Sequence, residues 1–196
     1  MPDDDDRSRM DRLDDPTTHR YVSGEELRGW LDPDPDWRIA DCGSGTGRFT
    51  DELAPIVETV YAVDIDPAMH AYYRRNGVPA SVMPVLADMA TMPFPSGALD
   101  GIVSIRTFHH GVADVLDELG RVLRPGGRIV IADWSRTATG LFGHDPNPAE
   151  HYDLATVQSM LLDHGFRIHH AEERWETFVV VADRWSTTDM PAESTA

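Results

Sequence analysis

The stretch Ile39-Ala-Asp-Cys-Gly-Ser-Gly-Thr-Gly-Arg-Phe49 joins a short apolar run to three glycines at alternate positions. An apolar run that enters such a turn is typical of a buried strand leading into a helix. Glycine allows positive φ and a close approach of the backbone to a ligand. The stretch therefore predicts a strand, a ligand-binding turn over Gly43, Gly45 and Gly47, and the start of a helix. An incidental turn is the alternative that this stretch alone leaves open.

The rest of the chain alternates between strand and helix patterns. A capping box at Ser23 and Glu26 opens a helix that ends near Leu31. Strands are predicted at 37–41, 59–63, 82–86, 100–105, 128–132, 166–170 and 176–183, and further helices at 47–53, 66–75, 112–123 and after Asp153. Apolar strands that alternate with helices indicate an α/β fold with a parallel sheet covered on both faces. Ligands in such folds bind at the carboxyl ends of the strands, where the strand order reverses.

The glycine spacing favours a ligand other than a dinucleotide. The dinucleotide fingerprint is G-x-G-x-x-G, but here the third glycine comes one position early and Arg48 stands where the last one would pack. An NAD-type oxidoreductase on a Rossmann sheet is therefore the weaker interpretation. The chain contains no lysine, which excludes a P-loop, a pyridoxal-phosphate enzyme and a protein kinase.

Aspartates end the first two predicted strands. Asp41 precedes the glycine turn, and Asp64 lies 17 positions after Gly47 (64 − 47). An acidic residue near this distance accepts the hydroxyl groups of a ribose in sheets of this kind. Asp64 is thus predicted to bind a ribose, with the alternative that it belongs to the helix cap formed by Asp66.

A third aspartate, Asp88, ends the third predicted strand. Its carboxylate is suited to accept a hydrogen bond from an adenine amino group, and Met89 and Ile65 offer apolar contact to the ring. Taken alone, Asp88 is equally well explained as a loop cap. Three carboxylates at neighbouring strand ends together favour a bound nucleoside.

Taken in order, these motifs resemble those of class I S-adenosylmethionine-dependent methyltransferases, most closely the small-molecule branch of ubiquinone/menaquinone-biosynthesis C-methyltransferases. The resemblance covers about residues 36–183 and is carried by Asp41-Cys-Gly-Ser-Gly-Thr-Gly47, Val63-Asp-Ile-Asp-Pro67, Ala87-Asp-Met89, Phe108-His-His110 and Leu123-Arg-Pro-Gly-Gly127. It implies a Rossmann-like, doubly wound sheet of seven mostly parallel strands with an antiparallel last strand. It also implies S-adenosylmethionine as the cofactor, with Asp41 and the glycines at its methionine end, Asp64 at its ribose, and Asp88 and Met89 at its adenine.

The end of the fourth strand supplies candidate catalytic residues. His109 is placed to act as a general base, because the ordinary pKa of histidine is near 6.5. Arg106 is suited to hold an anionic substrate through two hydrogen bonds. Similar families also use such a histidine pair as hydrogen-bonded architecture. Trp134, after the fifth strand, is either an apolar wall for the acceptor or packs beneath the irregular segment 135–150.

Missing motifs narrow the acceptor to a small molecule. The Asn/Asp-Pro-Pro-aromatic motif of amide-nitrogen methylases is absent from Ser104–Thr107, and the only cysteine, Cys42, lies in the glycine turn. The histidines show no helical metal-binding pair, so no metal site is expected. A protein that binds the cofactor without catalysis is the remaining alternative.

The charge indicates how the chain behaves in solution. Its net charge is −17 and all 17 basic residues are arginine. Such a surface repels nucleic acid and anionic lipid and favours high salt, where charge repulsion is screened. A salt-loving organism is one explanation, and a GC-rich genome is the other.

The chain shows one domain between two polar ends. Residues 1–20 form an acidic segment that we expect to be disordered, residues 21–185 a methyltransferase domain, and residues 186–196 a polar tail. No membrane span and no secretory signal is evident, which predicts a cytoplasmic protein. Little chain precedes Trp37 to cover an acceptor, so a partner chain, such as a second copy in a homo-oligomer, is one way to close the site.

Overall fold

The computed structural model describes residue 10 and residues 21–108, 112–136, 138 and 151–186. His109 and His110 lie outside the described residues, as do most of the segment 135–150 and nearly all of the two predicted tails.

Seven strands of the described residues form one sheet. They are β1 (Arg38–Cys42), β2 (Thr59–Asp64), β3 (Val82–Leu86), β4 (Leu99–Ile105), β5 (Leu123–Trp134), β6 (Phe166–Glu173) and β7 (Thr177–Arg184). Their order is β3-β2-β1-β4-β5-β7-β6, and only β7 runs antiparallel to its neighbours. This confirms the predicted Rossmann-like sheet with an antiparallel last strand. The order reverses between β1 and β4, so the carboxyl ends of these strands flank the expected crevice.

The described helices are α1 (Gly24–Leu31), α2 (Arg48–Leu53), α3 (Pro67–Asn76), α4 (Val112–Val122) and α5 (Leu154–Asp163). The predicted caps are present: Ser23 and Glu26 form a reciprocal capping box, Asp66 accepts from the N–H of Ala68, and Asp153 caps α5. None of the helices within the described residues has the length and apolarity needed to cross a membrane.

Strand β5 is longer than predicted. The sequence predicts strand from 128 to 132, whereas β5 begins at Leu123, which already pairs with Leu99 of β4. The register then shifts between Leu99 and Gly101, and Gly126, which lies within β5, takes a positive φ of 72°. At its other end β5 extends to Trp134 because β7 pairs with it along this length. Pairing between distant segments, which local pattern does not report, sets both ends.

Helices cover both faces of the sheet, as predicted. One hydrophobic cluster joins the sheet to α4 and α5, and a second joins it to α1, α2 and α3. Alternate residues of β5 enter different clusters: Ile129 and Ile131 the first, Val130 and Ala132 the second. Because successive side chains of a strand point to opposite faces, β5 is apolar throughout. The core therefore fixes the plane of the sheet and the edge at which its strands end.

Candidate functional site

Asp41 is a buried carboxylate at the carboxyl end of β1. It is 2% exposed, and its Oδ2 accepts a hydrogen bond of 2.6 Å from the hydroxyl of Thr50. Burial raises the pKa of Asp41 to about 6; the Thr50 hydrogen bond works against this rise, and the nearby negative charge of Asp64 adds to it. No cationic side chain of the described residues forms an ion pair with Asp41. The position therefore favours a ligand that brings a positive charge.

The three glycines of the turn have different roles. Gly43, Gly45 and Gly47 all take positive φ, at 76°, 55° and 91°. A side chain at Gly43 would overlap Thr107, and one at Gly47 would overlap the ring of Tyr73. A side chain at Gly45 would meet no atom within 4 Å. Gly43 and Gly47 are thus required by packing, whereas Gly45 alone leaves open space beside the backbone.

Asp64 ties the glycine turn to the end of β2. Its Oδ2 accepts from the N–H of Gly45 at 2.7 Å, and its Oδ1 accepts from the N–H of Asp66 at 2.8 Å. The local capping role considered for Asp64 is therefore present. Each carboxylate oxygen can accept more than one hydrogen bond, so Asp64 keeps capacity for ligand hydroxyl groups.

The residues expected at the adenine lie at the ends of β2 and β3. These two strands are parallel neighbours, so their carboxyl ends lie side by side. Ile65 is 66% exposed, while Met89 is partly buried against the first hydrophobic cluster. Asp88 is exposed, and its Oδ1 accepts from the N–H of Ala90 at 2.8 Å. Asp88 thus caps its own loop, and its second oxygen makes no hydrogen bond within the described residues.

His70, which was not predicted from the sequence, links these two strand ends. Its buried Nε2 lies 3.3 Å from the carbonyl oxygen of Asp64 and 3.2 Å from that of Val85. A single N–H can be shared between the two carbonyls, one from each strand. The available signal was helical spacing, since Met69, His70 and Tyr73 share the buried face of α3.

Arg106 stands on the other side of the crevice, at the end of β4. Its backbone takes a positive φ of 59°, uncommon for a residue other than glycine. Its N–H donates to the carbonyl of Ala132 at 2.7 Å. The next residue, Thr107, donates through Oγ1 to the carbonyl of Gly43 at 3.4 Å. The end of β4 is thereby held against the glycine turn.

Trp134 packs beneath a residue that precedes α1. Its side chain is 8% exposed, and its ring meets the ring of Tyr21 edge-on, with the centroids 4.8 Å apart. The hydroxyl of Tyr21 donates to Oε2 of the buried Glu176 at 3.2 Å. No local sequence pattern pairs Tyr21 with Glu176, because 155 positions separate them.

A cavity of about 310 Å³ lies beside the glycine turn and is lined by Thr46, Arg48, Asp51, Tyr73, Asn76 and Gly77. None of the strand-end aspartates lines it, so it is distinct from the crevice at the carboxyl ends of the strands. Within the described residues, no group of three His, Cys, Asp or Glu side chains is placed to hold a metal ion.

Comparisons with known proteins point to one family. A family profile described as "Methyltransferase domain" matches residues 40–131. A demethylmenaquinone methyltransferase of Thermus thermophilus is 39% identical over 114 residues, which cover 54% of this chain and 51% of that protein. An uncharacterized methyltransferase of Mycobacterium tuberculosis is 30% identical over 132 residues, covering 63% and 54%. The chain spans about half the length, or less, of the curated relatives it matches.

A solved structure extends the likeness to the whole fold. The chain superposes on a SAM-dependent methyltransferase from Aquifex aeolicus with a TM-score of 0.79 and 26% sequence identity, over 90% of this chain and 97% of that one. The sequence matches, the strand order and this superposition agree with each other. Residues 40–131 thus match a methyltransferase domain, and the chain has the fold of the class I S-adenosylmethionine-dependent methyltransferases.

Proposed function

We propose that the protein binds S-adenosylmethionine and transfers its methyl group to a small-molecule acceptor. The observation that carries the proposal is the open backbone at Gly45, flanked by the buried carboxylate of Asp41 and bonded to Asp64. These features fit a ligand with a cationic end and a ribose. The name of the Thermus thermophilus relative, a demethylmenaquinone methyltransferase, supports a small acceptor.

Asp41 and the glycine turn are assigned to the methionine end of the cofactor. The α-ammonium group of that end would give the Asp41 carboxylate the positive partner that the described residues do not supply. Only Gly45 opens to free space, so it is the glycine of the turn that we assign to direct backbone contact. Gly43 and Gly47 act through packing against Thr107 and Tyr73.

The ends of β2 and β3 are assigned to the adenosine. Asp64 would accept the ribose hydroxyls with the lone pairs left by its two backbone hydrogen bonds. Exposed Ile65 and partly buried Met89 offer apolar surface to the adenine ring. Asp88 has one oxygen available for the adenine amino group. His70 would hold the two strand ends at a fixed separation.

When bound, S-adenosylmethionine supplies an electrophilic methyl group that an acceptor takes by direct displacement, with the carbon–sulfur bonding pair left on sulfur. The protein's main task is then alignment of the acceptor, which can contribute up to about 7–11 kcal/mol. Arg106, at the end of β4, is assigned to the acceptor side. His109 is assigned as the base that removes a proton where the acceptor atom carries one.

Calorimetry tests the cofactor assignment. We expect S-adenosylmethionine and S-adenosylhomocysteine to bind with one-to-one stoichiometry and NAD to show no heat of binding. Binding of NAD in place of the adenosyl compounds would support the oxidoreductase alternative. A screen of small acceptors with labelled S-adenosylmethionine then separates an enzyme from a protein that only binds the cofactor.

Replacing His109 tests the proposed base. We expect His109→Ala to leave the affinity for S-adenosylhomocysteine within about twofold and to reduce turnover at least tenfold, since general bases contribute about 10²–10⁴-fold. His110→Ala is the matched control, with a smaller effect on turnover. Unchanged turnover in His109→Ala would remove this residue from the mechanism.

The charge of the protein supports a proposal about the setting in which it works. A net charge of −17 supports a small-molecule acceptor over nucleic acid. It also supports our proposal of a salt-loving organism, and we further propose that the protein works in the cytoplasm. Assembly as a homo-oligomer that closes the acceptor site belongs to the same proposal.

A further inference from the structure

The guanidinium group of Arg106 has no partner within the described residues. Its side chain is partly buried, yet it forms no hydrogen bond or ion pair with any of them. An arginine carries five N–H donors and stays charged. A charged group removed from water is costly unless it is paired. The fold therefore holds a cation whose complement is absent from these parts of the protein.

A second arginine lies close by. Arg48 directly follows the glycine turn, and that turn is held against the end of β4 by the contact between Gly43 and Thr107. Burial lowers the pKa of Arg106, and the positive charge of Arg48 lowers it further, whereas Asp133 and Tyr21 raise it. The negative charge of Asp133 raises the pKa of Arg106, but the two side chains form no ion pair. The charge of Arg48, which also lines the cavity beside the glycine turn, is thus near enough to act on the guanidinium group of Arg106.

The positive charge at this place is opposite in sign to the net charge of the chain. The net charge of −17 generates a field that repels anionic ligands at long range. An anion bound at Arg106 would offset the unfavourable effect that the charge of Arg48 has on this guanidinium group. Arginine forks bind carboxylate and phosphate oxygens through paired hydrogen bonds.

We propose that Arg106 and Arg48 form a subsite for an anionic group, a carboxylate or a phosphate, of the methyl acceptor. The inference rests on the proposed function and narrows the acceptor to an anionic small molecule. Arg106 belongs to the β4 side of the crevice, opposite the β2 and β3 ends assigned to the adenosine. The cofactor also carries a carboxylate, so the same chemistry has a second source that the test must separate.

Inorganic phosphate is the probe for this subsite. We expect the phosphorus NMR signal of phosphate to broaden saturably with wild-type protein loaded with S-adenosylhomocysteine. Arg106→Gln and Arg48→Gln should each weaken this binding at least fivefold. Arg74→Gln is the matched control, because Arg74 is an exposed residue of α3 and its loss changes the net charge equally. It should bind phosphate as the wild type does.

Three results would overturn the inference. The first is the absence of broadening with wild-type protein, and the second is unchanged broadening in Arg106→Gln. The third is broadening that is present with unloaded wild-type protein and disappears on loading with S-adenosylhomocysteine, which would assign the arginines to the cofactor's carboxylate. Calorimetry with S-adenosylhomocysteine on the same samples shows whether each variant is folded and keeps its cofactor site.

The same calorimetry distinguishes failure of this inference from failure of the proposed function. Wild-type protein that binds S-adenosylhomocysteine without binding phosphate loses only the anionic subsite. Wild-type protein that binds neither loses the cofactor assignment and this inference with it. An acceptor screen with paired aromatic acids and their methyl esters extends the test: the acids should be methylated at least tenfold faster, and Arg106→Gln should remove that preference.

Discussion

At Gly45, the effect of a substitution on folding stability can be separated from its effect on ligand binding. Gly45→Ala places a methyl group in open space at a φ of 55°, so the strain of the left-handed conformation, about 1–2 kcal/mol, is its main effect on folding. The same methyl group occupies the space that we assign to the cofactor. We expect the affinity for S-adenosylhomocysteine to fall at least tenfold, measured by calorimetry.

The control for this prediction is Gly97→Ala. Gly97 has a φ of 68°, and an added methyl group would lie 3.7 Å from its nearest neighbour, the Cα of Arg124. It precedes the amino end of β4, at the edge of the sheet opposite the crevice. We expect a similar loss of stability with unchanged cofactor affinity. Equal affinities in the two variants would contradict the role given to Gly45.

Asp41 links cofactor binding to pH. Its pKa is raised from 3.8 to about 6, chiefly by burial, so its protonated form is favoured in the folded state. The stability that this group contributes is therefore present below about pH 4 and is lost as the pH rises through about 6. Asp41→Asn keeps an acceptor for Thr50 and removes the buried charge. At pH 8 its free energy of unfolding should exceed that of the wild type by up to about 3 kcal/mol.

The same substitution should weaken cofactor binding, because the positive partner of Asp41 is proposed to be the cofactor itself. Urea denaturation and calorimetry at pH 8 measure the two effects. Wild-type affinity should also decline as the pH falls below about 6, where Asp41 becomes neutral. If Asp41→Asn has a lower free energy of unfolding than the wild type at pH 8, the charged Asp41 carboxylate does not destabilise the cofactor-free protein.

At the scale of elements, Arg174 in the β6–β7 turn forms the contacts that hold helix α1 against this turn. Arg174 donates to the carbonyl of Tyr21 at 2.9 Å and to Oε1 of Glu26 at 2.7 Å, and it lies over the ring of Trp30. Arg174→Ala should lower the free energy of unfolding by about 1–2 kcal/mol, since these are partly exposed, charge-assisted hydrogen bonds. Hydrogen exchange should quicken selectively in α1. Arg74→Ala is the control, and equal exchange in both variants would contradict this anchoring.

Local signals were sufficient for most elements. Caps at Ser23, Asp66 and Asp153 set three helix starts within one residue, because a cap is a contact between residues two or three positions apart. The limits of β5 were missed because they depend on Leu99 and on the whole length of β7.

The same distinction applies to the candidate site. Strand-end aspartates and the glycine turn were visible as patterns, but the bond from Gly45 to Asp64 and the bridging position of His70 join separate segments. The sequence also could not show that Thr107 and Tyr73 explain two of the three glycines. Contacts between different strands and helices determine which residue of a motif remains accessible to the ligand.

At the scale of the whole molecule, the negative charge predicts a response to salt. With a net charge of −17, repulsion opposes the compact state at low ionic strength. Molar KCl reduces the Debye length to about 3 Å and relieves this repulsion. We expect the melting temperature to rise continuously between 0.05 M and 2 M KCl. A melting temperature that stays constant or falls over this range would favour genome composition as the origin of the arginine-only, aspartate-rich sequence.

The measurement that tests the cofactor assignment most directly is a crystal structure of the protein with S-adenosylhomocysteine. Electron density should run from Asp41 past the backbone of Gly45, with the ribose at Asp64 and the adenine between Ile65 and Met89. A ligand bound away from these strand ends, or no density at saturating concentration, would contradict the account.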